Sequence, residues 1–194
     1  MAKSLERITF EEFKNRVFDG QRDFVNVEIY GTADESSVHE FNQYLQSLDD
    51  KELINYPVVF ENSRFKNLYA KGLELNRFEG HNFQIIDSEL PLLYLKKSKL
   101  YNTSLHNVVI DRGKQENTSF RNFNLSNVQY SRSDFPDTDY IKGEIKNSIV
   151  KECDLSEGSY FYQVNIRDSN VKKVKTGKGT RDTLKPKRKL FRKK

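Results

Sequence analysis

His39, His81, His106 and Cys153 are the side chains here with the widest chemical repertoire, and they do not gather into a recognisable motif. The histidines are far apart in sequence, and none has a carboxylate or nucleophile at a spacing that would make it a general base. A single cysteine excludes an internal disulfide and a multi-cysteine metal site. No phosphate-cradling glycine loop, zinc signature or nucleophile elbow is present. Carboxylates concentrate at Asp134, Asp137, Asp139, Glu144, Glu152, Asp154 and Glu157, with Lys142, Lys146 and Lys151 among them. That mixture reads as a solvated surface spread over different sides of the molecule. No catalytic residue, metal or cofactor is assigned, and the chain reads as a non-enzyme.

Charge is the stronger chemical signal. Residues 1–55 hold 6 Lys/Arg against 12 Asp/Glu, residues 56–171 hold 15 against 15, and residues 172–194 hold 12 against one. The net +5 is therefore a property of the tail. Within it, Lys185, Lys187, Arg188, Lys189, Arg192, Lys193 and Lys194 are candidate partner-binding residues, and Leu190 and Phe191 a candidate apolar anchor. Such an arm can displace counterions from nucleic acid, lie on an anionic membrane, or thread into a large acidic protein or ribonucleoprotein complex. A solubilising end without a dedicated partner stays open beside these. Lys185 to Lys189 also resembles a nuclear localisation signal. No small-molecule ligand is implied.

What must position these groups is a stretch with a period of five, from Phe60 to Tyr160. Of the 21 residues whose numbers divide by five there, 19 are apolar or aromatic, and Gly80 and Gln115 are the exceptions. Composition alone predicts about seven or eight. Helix faces recur near 3.6 residues and strand faces near 2, so a beat of five fits neither. A short repeat that cannot bury its own apolar face implies stacking, hence a solenoid. Two residues earlier stand small side chains: Ser88, Ser98, Thr103, Val108, Gly113, Thr118, Val128, Ser133, Thr138, Gly143, Ser148, Cys153 and Gly158.

This pattern resembles the pentapeptide-repeat family, as in Ser98-Lys99-Leu100, Thr103-Ser104-Leu105, Ser133-Asp134-Phe135 and Cys153-Asp154-Leu155. The resemblance implies a mainly β fold: a right-handed four-sided β-helix solenoid, twenty residues per coil, large residue on the axis and small residue inside the corner. Residues twenty apart then stack about 4.8 Å apart. Asn62, Asn82, Asn102 and Asn122 fall in one such column, and Asn67, Asp87, Asn107, Asn127 and Asn147 in the next. These read as corner ladders. Phe78 is expected to fill the space at Gly80. The segment Asp111 to Glu116 is expected to bulge or loosen around Gln115, unless its amide finds a partner. Cys153, at a small interior position, is expected to be a structural thiol.

At the amino end, Thr9 and Glu12 make a capping box, with Ile8 stapling against Phe13, which predicts a helix from Phe10 to Phe18. The stretch Gly20 to Ile29 resembles the first coil of bacterial, especially cyanobacterial, members of the family, in which a short helix covers the open end. Phe24 and Ile29 are out of frame with Phe60, so something is inserted. Ser37 and Glu40 suggest a second capping box and a helix from Val38 to Leu48, with Val38, Phe41, Leu45 and Leu48 on one face. It either shields the entrance or docks a partner. The expected organisation is a capping helix in residues 1–21, a β-helix in 22–171 with a helical insertion at about 34–54, and a basic flexible tail in 172–194. About six coils make a rod just under ~30 Å long. After Tyr160 one extra residue shifts the frame, and the regular winding is expected to end at Val171.

The resemblance also carries functional expectations. A non-enzymatic scaffold with a basic arm, cytoplasmic or peripheral to a membrane or large complex, is the leading one. Some family members imitate B-form DNA and regulate DNA gyrase, usually as dimers. The neutral solenoid and basic end of this chain depart from that type, and a homodimer stays open.

Overall fold

A chain with one apolar side chain in five can bury all of them only by turning a corner after each, and this one does. The computed structural model describes residues 4–48, 57–155, 159–172 and 175–176. Short strands carry one axial residue each, and four eight-residue strands bend through a corner and carry two. The residue two places on adopts left-handed backbone, with φ of 49° at Asn62, 54° at Asn82, 52° at Asn102 and 53° at Asn122. Four corners close a coil. Residue i pairs in parallel with residue i+20, as in Phe60 with Gly80, Gly80 with Leu100, and Leu100 with Phe120 on the first face. The second face stacks Phe65, Ile85, Leu105, Leu125 and Ile145. The third stacks Ile110, Tyr130 and Val150, and the fourth Leu75, Leu95 and Gln115. The body is a four-sided parallel β-helix of the pentapeptide-repeat type.

The small position two before each axial residue works through hydrogen bonds as well as size. Ser88 Oγ accepts from the Leu68 amide at 3.1 Å and donates to the Ile86 carbonyl at 2.7 Å. Ser133 does the same between the Gly113 amide and the Ser131 carbonyl. Backbone groups freed at the corners are thereby satisfied without water. Larger residues also occupy this position, and Leu68, Leu73, Phe78, Phe83, Leu93 and Phe123 are all buried there. Glycine makes the room. A Cβ on Gly143 would lie 2.5 Å from the Phe123 ring, and one on Gly80 would lie 2.8 Å from Leu100 Cδ2. The side chains nearest the space at Gly80 are Leu100 and Phe83 rather than the expected Phe78, whose ring packs 4.6 Å from Phe60 and 5.6 Å from Phe83.

Gln115 stays on the axis, 3% exposed. Its Nε2 donates to Tyr130 Oη at 3.2 Å, and Tyr140 Oη donates to its Oε1 at 2.6 Å. The expected bulge is absent: Lys114–Glu116 remain in register with Tyr94–Lys96. With both amide ends partnered, nothing forces the strand outward.

The end of the winding differs from expectation in two ways. Tyr160 is 51% exposed, and Phe161 takes the axis opposite Tyr140. The extra residue therefore enters between Leu155 and Phe161, ahead of Tyr160. The fourth face also continues to a strand at Lys175–Thr176 paired with Asp154–Leu155, so the winding passes Val171.

The amino end is closed by three elements. A strand, β1 (Glu6–Thr9), absent from the sequence reading, extends the second face by pairing Ile8 with Ile29. Helix α1 (Phe10–Phe18) starts at the capping box, with Thr9 Oγ1 accepting from the Glu12 amide at 3.1 Å and Glu12 Oε2 from the Thr9 amide at 2.7 Å. Phe13, fully buried, meets the axial Phe24 and Phe60 rings at 5.0 and 5.6 Å. Helix α2 (Glu35–Ser47) begins three residues before the expected Val38, because Asp34 and not Ser37 is the cap; its carboxylate accepts from the Ser37 amide at 2.8 Å. Val38, Phe41 and Leu45 are buried and Leu48 is half-buried.

Candidate interaction surface

Each axial residue is flanked by two that face out, so every side of the rod presents two columns with rungs about 4.8 Å apart. Charged rungs mostly cancel. Glu79 pairs with Lys99 at 3.0 Å, and Glu144 with Arg167 at 2.6 Å. Asp111 accepts from Arg132 Nε at 2.9 Å and from Ser131 Oγ at 2.6 Å. On the fourth face Glu116 accepts from Tyr94 Oη and pairs with Lys114 at 2.9 Å. Its ionised form is favoured, which holds it below its ordinary value, while burial and that same bond push Tyr94 up. A solenoid side built this way projects little net field.

The asparagine columns form ladders at two corners. Asn82 donates to Asn62 at 2.9 Å, Asn102 to Asn82 at 3.1 Å and Asn122 to Asn102 at 3.2 Å. Asn107 donates to Asp87 at 2.8 Å and Asn127 to Asn107 at 3.0 Å. The other two corners carry Arg77, Leu92, Lys97, Arg112 and Arg132 in the same left-handed backbone, at about 1 kcal/mol each. Nothing in the spacing of these residues marks them as corners; only the frame does.

The residues with reactive side chains sit apart. His39 is exposed on α2. His81 and His106 face out beside axial positions, His81 stacking on Tyr101 at 5.2 Å and His106 Nδ1 lying 2.8 Å from Ser126 Oγ. Cys153 is 2% exposed, its thiol donates to the Lys151 carbonyl, and burial pushes it up to about 11. A thiol held protonated at neutral pH is a packing group. Asp139 lies on the first face, Glu144 on the second, and Asp137 and Glu152 at corners. Asp134 and Asp154, however, share the fourth face in adjacent coils, with Lys114 preceding them in the column. The expected scatter of carboxylates fails for this pair because they are twenty residues apart, one full coil. With Pro136 they line an open cavity of about 230 Å³. Glu157 lies outside the described residues.

Helix α2 spends its inner face on the solenoid. Asn42 bonds the first complete coil like an added strand: its Nδ2 donates to the Gly72 carbonyl at 2.7 Å and its Oδ1 accepts from the Glu74 amide at 3.0 Å. Lys14, 4% exposed, is clasped by Glu11 and Glu40 at 2.7 Å each and ties α1 to α2. Glu28, also 4% exposed, pairs with Arg7 at 2.8 Å and with Arg64, linking β1 to the first coils. Burial works to raise the Glu28 carboxyl, but the bonds from Arg64 and Arg7 outweigh it and lower it overall. These contacts fix α1 and α2 to each other and to the first coils.

Exposed large apolar side chains are Val25 at the amino end of the first face, Leu92 at a corner, and two groups. Tyr69, Val109 and Ile149 share an outward column of the third face, and Tyr160 and Tyr162 stand on the first face of the last coil. The arm residues Lys185, Lys187, Arg188, Lys189, Leu190, Phe191, Arg192, Lys193 and Lys194 lie outside the described residues. Among the described residues, no helix is long and apolar enough to cross a membrane.

The sequence matches no protein-family model and no curated protein. Solved structures do resemble it. The pentapeptide-repeat protein Rfr23 from the cyanobacterium Cyanothece 51142 is 12% identical, with 81% of this chain and 98% of that one covered, at a TM-score of 0.31. HetL, a pentapeptide-repeat protein involved in heterocyst differentiation regulation from Nostoc sp. strain PCC 7120, is 10% identical over 84% and 94%, at 0.21. QnrB1, a plasmid-mediated fluoroquinolone resistance protein, is 14% identical over 62% and 83%, at 0.22. The fold assignment itself rests on the twenty-residue register and the left-handed corners of this chain.

Proposed function

We infer that this protein is a non-catalytic scaffold whose rigid β-helix presents fixed faces while its basic carboxy-terminal arm holds an acidic partner. The partner is a large protein, a nucleoprotein or a membrane-associated complex in the cytoplasm. The observation that carries this reading is the segregation of charge: residues 56–171 balance at 15 against 15, and residues 172–194 carry 12 cations against one anion. The rung-by-rung ion pairing of the faces supports it, since balanced coils and an acidic amino end leave the arm as the one strongly basic block of the sequence. Lys185, Lys187, Arg188, Lys189, Arg192, Lys193 and Lys194 would supply the contacts, with Leu190 and Phe191 as an apolar anchor.

The test compares the full chain with a full-length variant in which those seven cations are glutamine, in pull-downs at low and high salt. Partners held by wild type at low salt should be released at high salt and missing from the variant. The same partners on both proteins would refute the arm's role.

A further inference from the structure

Tyr160 is the most exposed large apolar side chain among the described residues, at 51%, and Tyr162, two residues on, is 45% exposed. They flank the axial Phe161 on one strand, so both project from the first face. Their rings are parallel within 9° with centroids 6.1 Å apart. The core does not use them: Phe161, between them, packs inward on Tyr140 at 4.7 Å, and Tyr162 Oη accepts a long bond of 3.4 Å from the neighbouring Gln163 side chain. Tyr162 continues a column through Ile141 and Arg121 to Tyr101, which stacks on His81. Arg121 and Lys142 are exposed on or beside that column and make no ion pair among the described residues.

We propose that this face is a stacking platform for single-stranded nucleic acid, with Tyr160 and Tyr162 taking bases and Arg121 and Lys142 taking phosphates. This deepens the reading above by naming the acidic partner that the arm would hold. A single strand is the polyanion that offers flat apolar rings and a charged backbone together, and exposed rings beside unpaired cations match both. A duplex keeps its bases stacked inside, out of reach of the rings. An acidic peptide would use the cations and leave the rings idle. Asp139, the rung neighbour of Tyr160, stands where a base amine or a ribose hydroxyl can donate to it.

Fluorescence anisotropy of a labelled twelve-nucleotide oligouridine against the full chain, at about 50 and 200 mM salt, tests this. Wild type should bind the oligomer more tightly than a DNA duplex of equal length. Tyr160→Ala with Tyr162→Ala should weaken binding by about tenfold per ring at an unchanged melting temperature, and the double Phe variant should bind as wild type does. No binding by wild type, equal binding by the double Ala variant, or equal binding of the duplex would each overturn the proposal. The arm is read out separately. If the seven-glutamine variant bound oligouridine as wild type does while the double Ala variant did not, the arm reading would fall and the platform would stand.

Discussion

The coils and the amino-terminal cap meet the same demand, closure of an apolar column against water, by opposite means. In the coils the solution is repetition: each axial side chain rests on the one twenty residues away, and each strand amide finds the next coil. In the cap every contact is made once. Lys14 lies between two glutamates, Glu28 between two arginines, and Asn42 stands in for a missing strand. Damage to a repeating body spreads along the stack, whereas damage to a cap of unique contacts stays local.

The largest effect should come from the axis of the body. Leu105→Lys places a charge in the middle of the stack and should abolish cooperative unfolding in a thermal melt, while Ser104→Lys, on the outward side, should melt near wild type. Equal melts for the two would refute the assigned register. In the cap, Glu28→Ala removes the bonds to Arg7 and Arg64, whose own charges stay in reach of water, and should cost about 1–2 kcal/mol in denaturant unfolding. The pH dependence of that loss sharpens the comparison. Because the folded Glu28 ionises below its ordinary value of 4.5, its contribution is complete above that pH and disappears as pH falls through the folded value. The stability gap between wild type and Glu28→Gln should therefore close in acid. A gap that widened there would contradict the pairing.

Smaller effects follow. Asn42→Ala removes both strand-like bonds and should cost about 1–2 kcal/mol without touching the rest of the solenoid, visible as faster amide exchange at Glu74. Leu92→Asn should be stabilising by about 0.5–1 kcal/mol, because Leu92 sits exposed with φ of 60°, where asparagine is tolerated and leucine is strained.

This division also decides how much could be read from the sequence. Axial positions announce themselves because stacking forces the same residue type at a fixed interval, and the asparagine ladders do so because side chain meets side chain in register. The five-residue beat puts Tyr160 on the axis in place of Phe161, because both are aromatic and a one-residue insertion leaves no mark of its own. Asp34 and Ser37 are both sound caps, and only the path of the chain chooses between them. The strand Glu6–Thr9 and the role of Asn42 depend on what lies across from them, which no local pattern encodes. The candidate platform is illegible for a related reason. The same beat makes Tyr160 a core residue, which hides its exposure, the one property that matters there.

The trio of Gln115, Tyr130 and Tyr140 has a final consequence. Levels of hydrocarbon stacked one upon another carry no label, and a nascent winding that skipped or doubled a turn would find comfortable company at almost any height. A lone amide that can be satisfied by just two phenols, both from later turns, removes that freedom: any miscount strands it in oil. One polar landmark lets an otherwise monotonous column know its own height.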